Sequence, residues 1–236
     1  MFAGNTQQNG TNEEKRMNLP GLITIQPDQT DLLRRAANMM GTSFLEENWF
    51  ITWLSALDEL GTTKARKEEL IHAVFLDDLT VHAPYQAVYA LPDMAAATGG
   101  YLFSELKGTT HSELEAQTGK YLEEVATPEE LALLDDQMQK MELVSDFDWC
   151  RKLDKGKDHL YFYAWAVDPE ARGTGALRRL LTPFFNYADT HGLNCYLECY
   201  ADRLQQMYEH LGFELYDEIH SPDFDIYERR MIRRPQ

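Results

Sequence analysis

The sequence predicts an α/β fold, one domain built on a central sheet with helices around it. Three observations carry this. Residues 159–167, HLYFYAWAV, form an unbroken aromatic and β-branched run that is polar on neither face, as a central strand covered on both sides should be. Beyond it the apolar period alternates between helical and extended: helix 176–190, strand 194–200, helix 202–211, then strands near 213–219 and 226–232. Between the first strand and the first helix lies VDPEARGTG (167–175), a Pro and glycine turn placed where a strand hands over to a helix.

The earlier elements follow in order. Leu22-Ile23-Thr24-Ile25 alternates before Pro27 and predicts a short first strand. Thr30 or Asp31 is expected to cap the helix LLRRAANMMGTSF. LEENWFITWLSALDEL carries apolar residues around most of its circumference (Leu45, Trp49, Phe50, Trp53, Leu54, Leu57), so it should be buried on two sides or line a pocket. RKEELIHAVFLDDL reads as a third helix. QAVYALPDM and AAATGGYLFSEL read as two strands, with Gly99-Gly100 as a kink or bulge.

Residues 108–148 form an acidic helical insert, with Thr127-Pro128-Glu129-Glu130 as a helix start. Such a segment serves as a lid, a dimer contact or a solvated face, and charged helices most often do the last. Residues 1–20, rich in Asn, Gln and Gly, read as a disordered lead-in to a folded domain over 21–236.

Composition narrows the function classes. The net charge of −17 argues against nucleic acid or an anionic membrane as a partner. It would draw in cationic small molecules, though acidity also serves solubility alone. No window approaches the roughly 18 consecutive apolar residues of a membrane span. The N-terminus lacks an apolar signal core, which points to the cytoplasm. Cys195 and Cys199 share one face of a strand without further ligands at metal spacing, so these and Cys150 read as core thiols and no metal is expected.

The glycine turn is the feature most suggestive of chemistry. In the helix after Gly175, Leu177, Leu180, Leu181, Phe184, Phe185 and Ala188 form one stripe, Pro183 falls mid-helix, and Gly192 can cap the end. A glycine loop at a helix start offers free N–H groups and the positive end of the helix dipole, a phosphate-binding combination. Arg172, Arg178 and Arg179 add positive charge there. The bland alternative is a structural turn. The P-loop is excluded because no Lys follows the glycines; a dinucleotide fingerprint would need its third glycine at Arg178, with Glu198 as its acidic residue.

V-D-P-E-A-R-G-T-G-A-L resembles the acetyl-CoA-binding motif of the GNAT-type N-acetyltransferases, usually V-x-P-x-x-[RQ]-G-x-G-x-[GA]. Downstream, YLECY resembles that family's next strand, MYEHLGFEL its Tyr-containing helix end and IYERRMIRR its closing strand, so the likeness covers residues 159–235. Two positions depart from the pattern: Leu177 occupies the third small site, and ECYADRLQQMYEHLGF lacks the Asn common before the last helix.

The resemblance implies a mixed, mostly antiparallel sheet with helices on both faces. It implies that Arg172, Gly173, Thr174, Gly175, Ala176, Leu177 and Arg178 hold the pyrophosphate of acetyl-CoA through their N–H groups. The strand edge at Ala166 and Val167 would pair with pantetheine and polarise the thioester carbonyl. It implies direct transfer of acetyl to a primary amine, with Tyr208 as the acid for the leaving thiolate.

From spacing alone Tyr208 belongs to an apolar stripe with Leu204, Met207 and Leu211, behind a capping box of Asp202 and Gln205. Glu198, on one strand face with Tyr196 and Tyr200, is the candidate base or else an ion-pair partner of Arg229 or Arg230. Trp49, Trp53, Tyr85, Tyr161, Tyr163 and Trp165 are candidates to line a pocket for a small cationic acceptor. His159 and His210 read as structural. A homodimer is compatible with the sequence. The rival reading is a GNAT-shaped acyl-CoA sensor without activity.

Overall fold

The computed structural model describes residues 17–236. The lead-in expected over 1–20 lies outside the described residues as far as 16. Met17 and Leu19, however, are buried in the core, and the Met17 N–H donates to Glu105 Oε1 at 2.8 Å. The packed chain therefore includes part of the segment expected to be a tail.

Seven strands make one sheet: β1 (Ile23–Thr24), β2 (Val88–Ala90), β3 (Ala96–Leu102), β4 (Leu160–Val167), β5 (Cys195–Cys199), β6 (Glu214–His220) and β7 (Tyr227–Arg233), in the order β1-β2-β3-β4-β5-β7-β6. Only β4 and β5 run parallel; every other neighbouring pair is antiparallel. The aromatic run is the middle strand, as its composition requires. Helices α1 (Thr30–Phe44), α2 (Asn48–Leu54) and α3 (Lys64–His82) cover one face, packing on Ala97, Ala164 and Ala166. The insert supplies α4 (His111–Glu115), α5 (Lys120–Val125) and α6 (Pro128–Met141), followed by the short α7 (Trp149–Leu153). On the other face α8 (Ala176–His191) sets Leu180, Leu181, Phe184 and Ala188 against Leu160, Phe162 and Trp165, with Tyr208 of α9 (Asp202–Glu209) beside them.

Several local expectations are corrected. Helix α1 begins where expected, but Gln29 precedes it and neither Thr30 nor Asp31 caps it; Gln29 Oε1 accepts from the Gln26 N–H, so the entry turn closes on itself. The predicted helix over 45–60 is α-helical only to Leu54 and tightens into a 3₁₀ turn over Ser55–Leu60 that ends at Gly61. The Asp202–Gln205 capping box does not form: Ala201 precedes α9, Asp202 pairs with Arg229, and Gln205 turns to Glu209. Thr127 does cap α6, in a reciprocal box with Glu130. Pro183 sits inside an uninterrupted α8.

Two irregularities shape the sheet's centre. Gly99 pairs with Ala164 while Gly100 pairs with Phe162, so Tyr163 is the extra residue of a bulge in β4. The bulge switches parity: Phe162 and Trp165 share the α8 face, whereas Ala164 and Ala166 face α1. Gly99 accommodates it, since a Cβ there would lie 2.0 Å from the Tyr163 ring. The second irregularity is a splay. β4 pairs with β5 only at Leu160–Cys195 and Tyr161–Tyr196. From Phe162 onward the β4 edge facing β5 has no strand partner, and the two strands open into a cleft.

Candidate active site

A cavity of about 860 Å³ occupies that cleft. Its walls include Phe162 to Val167 of β4 and, across from them, Leu197 to Ala201 at the end of β5. Arg172 and Leu177 close one side, and Leu204, Met207 and Tyr208 of α9 another. The remaining wall comes from α2 and α3 and from the insert, through Leu122, Leu131 and Leu134. The insert is thus a cavity wall on one side, with its acidic residues largely on the solvated face that its charge suggested.

The glycine loop adopts the conformation that its residues dictate. Gly173 and Gly175 have φ of +77° and +82°, the left-handed region that side chains other than glycine's resist. Helix α8 starts directly after, and its first ladder bond is from the Arg179 N–H to the Gly175 carbonyl. The N–H groups of Gly173, Gly175, Ala176, Leu177 and Arg178 consequently have no acceptor among the described residues.

The structure divides the predicted loop residues. Ala166, Val167, Arg172 and Leu177 face the cavity. Thr174, Gly175 and Arg178 border an adjoining shallow depression with Pro20, Asp93 and Arg179. Ala176 is buried under the helix start, and Arg179 is paired with Asp93 at 3.1 Å.

Tyr208 stands in the cavity wall, and its hydroxyl accepts from Trp165 Nε1 at 3.1 Å. Burial pushes its pKa up, with the charges of Cys199 and Glu47 acting in the same direction. It therefore holds its proton at neutral pH. Glu198 also faces the cavity, but its oxygens are engaged by the Trp149 indole N–H and by the Tyr161 hydroxyl at 2.7 Å. The ion pair expected for it is not made. Arg230 lies in register but pairs with Glu228 and Asp146, and Arg229 with Asp202 and Glu218. Burial, then the neighbouring Glu228, raises the Glu198 carboxyl to about 8.

Glu47 was not singled out by the sequence. It precedes α2 and accepts from the Trp49 N–H through Oε2 at 2.8 Å, while Oε1 is buried without a partner. Burial raises its carboxyl to about 7 against three lowering backbone N–H groups, and it lines the cavity. The available signal was a Glu in place of the usual Ser, Thr, Asp or Asn before an aromatic helix.

Of the aromatics proposed to line a pocket, Trp49, Trp53, Tyr163 and Trp165 do so; Tyr85 and Tyr161 do not, because both pack in a separate core cluster. His159 is buried against Phe103 and bonded to the Lys157 carbonyl, a structural role. The three cysteines are buried and free.

Among the described residues, His82, His111 and Glu115 bring one ligand-type atom each within 4.8 Å of one another. Protons alone satisfy that group. His82 Nδ1 donates to the Asp78 carbonyl (2.7 Å), leaving Nε2 to accept from His111 Nδ1 (3.3 Å) and His111 Nε2 to face Glu115 at 3.3 Å. Burial holds the His82 pKa down at about 4 and pushes the Glu115 carboxyl up to about 7, consistent with neutral rings and a carboxyl that shares a proton with His111.

Comparison with known proteins places this geometry. Residues 143–213 match the profile of the Acetyltransferase (GNAT) family. An uncharacterized N-acetyltransferase of Schizosaccharomyces pombe is 35% identical over 82 residues, covering 34% of this chain and 33% of that protein. The chain thus spans about a third of the length of the curated relative it matches. An Aedes aegypti protein assigned as arylalkylamine N-acetyltransferase 7 superposes with a TM-score of 0.57 at 13% identity, over 90% of this chain and 86% of that one. No helix among the described residues is long and apolar enough to cross a membrane. Residues 143–213 are thus similar to the GNAT acetyltransferase family, and the chain around them has the GNAT fold.

Proposed function

We propose that this protein transfers an acetyl group from acetyl-CoA to the primary amine of a small cationic acceptor, in the cytoplasm. One observation carries the reading. The splay of β4 from β5 opens a cavity that joins unpaired loop N–H groups at one end to buried carboxyls at the other.

The loop residues Gly173 to Arg178 suit a pyrophosphate, since five of their N–H groups have no acceptor among the described residues and stand at a helix start. Arg172 would neutralise part of its charge. The unpaired β4 edge at Ala166 and Val167 would hold the pantetheine arm and direct a backbone donor at the thioester oxygen. Acetyl-CoA supplies the acyl group as an activated thioester.

The acceptor arrives as an ammonium, drawn by a cavity whose lining includes Glu46 and Glu47. It must lose a proton before attack. Glu47, with one free oxygen and a carboxyl near 7, suits that base role better than Glu198, whose two oxygens are already bonded and whose carboxyl is mostly protonated at pH 7. As the N–C bond forms and the C–S bond breaks, Tyr208 gives its proton to the departing thiolate. Glu198 instead anchors Trp149 and Tyr161 behind the β5 wall.

The test is calorimetric titration with acetyl-CoA, followed by thiol release on adding alkylamines. Micromolar binding with amine-dependent release supports the enzyme. Binding without release from any amine would leave an acyl-CoA-binding module, and no binding would overturn the assignment of the loop.

A further inference from the structure

The cavity holds two separate acidic regions, and the transfer described above uses only one. Glu47 belongs to the region of Cys199, Tyr200 and Tyr208, all three of which respond to its charge. The second region is formed by Asp78 of α3 and Glu115 at the end of α4, beside His111 and Tyr163. The charges that bear on the Tyr163 hydroxyl are those of Asp78 and Glu115.

This second region lacks something. The Asp78 carboxylate accepts no hydrogen bond and has no cationic partner among the described residues, and it is raised well above its ordinary pKa by burial first, then by Glu115 and Asp77. The Tyr163 hydroxyl is fully buried with no hydrogen-bond partner, on a ring stacked 4.3 Å from that of His82. Buried polar groups in folded proteins are nearly always satisfied, so an orphan hydroxyl beside an unpaired carboxylate marks a missing ligand. The arginines lining the cavity, Arg172 and Arg203, belong to the loop and to α9. His111 cannot supply the charge, since burial and His82 hold its pKa well below the ordinary value.

An alkylammonium fits what is missing. It carries one positive charge and three N–H donors, and Asp78, Glu115 and the Tyr163 hydroxyl offer three acceptors. Burial holds both carboxyls toward the protonated form, and an entering ammonium would offset the charge of the one that ionises beside it. Trp49, Phe50 and Phe75 line the same cavity and suit a methylene spacer.

We propose that the acceptor is a dication of the α,ω-diamine class, with its reacting amine at Glu47 and its distal ammonium held by Asp78, Glu115 and the Tyr163 hydroxyl. This rests on the amine-acetylation reading above and adds which amines are chosen.

The experiment compares kcat/KM for α,ω-diamines of three to six carbons with that for the n-alkylamine of equal length, in the wild type, Asp78→Asn and Glu115→Gln. A charged contact of this kind is worth roughly tenfold or more, so the best diamine should exceed its monoamine by at least that factor. Asp78→Asn should erase the preference while monoamine turnover and acetyl-CoA affinity stay within about twofold, and Glu115→Gln should reduce it. Equal rates for the two amines, or a preference that survives both variants, would overturn the inference while acetyl transfer stands. Should no amine be turned over, the transfer reading fails separately, and calorimetry with the same probes decides. Tighter diamine binding lost in Asp78→Asn supports the distal site; equal or absent binding removes it.

Discussion

The two ends of the cavity are built from different materials. At the loop end the groups proposed to bind are backbone N–H donors from one short stretch, 173–178 apart from the paired Thr174, with its glycines in the left-handed region. At the far end they are side chains from α3, α4 and β4, brought together across more than 80 positions of sequence, from Asp78 to Tyr163. No atom of the described residues lies within 4 Å of a Cβ built on Gly173 or Gly175, so within the protein these glycines answer to conformation rather than to crowding. Gly99 is the reverse case: its backbone is unremarkable in hand, and it is glycine because the Tyr163 ring leaves no room. A backbone site tolerates side-chain change but not a change of φ; a side-chain site tolerates neither removal of its charge nor movement of the elements that carry it.

The strongest way to test this division is at the proposed transfer centre, beside Tyr208 and Glu47. Tyr208→Phe removes only a hydroxyl that accepts from Trp165, so folding and acetyl-CoA affinity should be retained. Loss of the acid should lower kcat by roughly 10²–10⁴. A loss under tenfold in steady-state turnover would take the proton donor away from Tyr208.

Glu47→Gln should cost a similar factor at neutral pH and also alter the pH profile. The Glu47 carboxyl is raised to about 7, so it is protonated and unable to act as base below that pH. Wild-type kcat/KM should therefore climb with pH through about 7, and the variant should lose that limb. A limb near 8 that disappears in Glu198→Gln instead would return the base role to Glu198.

At the loop end, Gly175→Asp places a carboxylate beside the free N–H groups, where it would compete with and repel a phosphate. We expect acetyl-CoA affinity to fall by about a hundredfold, with folding retained because Asp tolerates the left-handed region better than most residues. Gly175→Ala, without the charge, should cost roughly 1 kcal/mol of stability and far less affinity. Equal losses of affinity in the two variants would show that conformation rather than charge governs the loop.

These differences explain what could be read in advance. The aromatic β4, the glycine loop and the α8 stripe were legible because each is local: period and turn chemistry specify them within about 20 residues. The bulge at Tyr163 was visible only as Gly99-Gly100, because the extra residue lies on the other strand. Glu47, Asp78 and Glu115 were passed over since a carboxylate in a helical segment reads as solvated, and only tertiary packing turns it inward. Asp202 misled for the opposite reason. Its position suits a cap, but the buried Arg229 nearby takes its carboxylate.

The smallest expected effect concerns how the insert is fastened as a wall. Arg66 of α3 bonds Glu130 through Nε at 3.0 Å and Nη2 at 2.7 Å, and also reaches the Val125 carbonyl at 2.6 Å. Glu130 closes the α6 capping box as well, accepting from the Thr127 N–H at 2.8 Å. Glu130→Ala removes both, and should cost about 1–3 kcal/mol. Arg66 holds the Glu130 carboxyl down at about 2 from an ordinary 4.5. The stabilisation is thus complete above about 4.5 and is lost as pH falls toward 2, so the difference in Tm between wild type and variant should shrink over that window. Because Leu122, Leu131 and Leu134 hang on this joint, amine KM should rise a few-fold while acetyl-CoA affinity holds. Were both affinities to fall together, the ends of the cavity would be one mechanical unit, and their different construction would not make them independent.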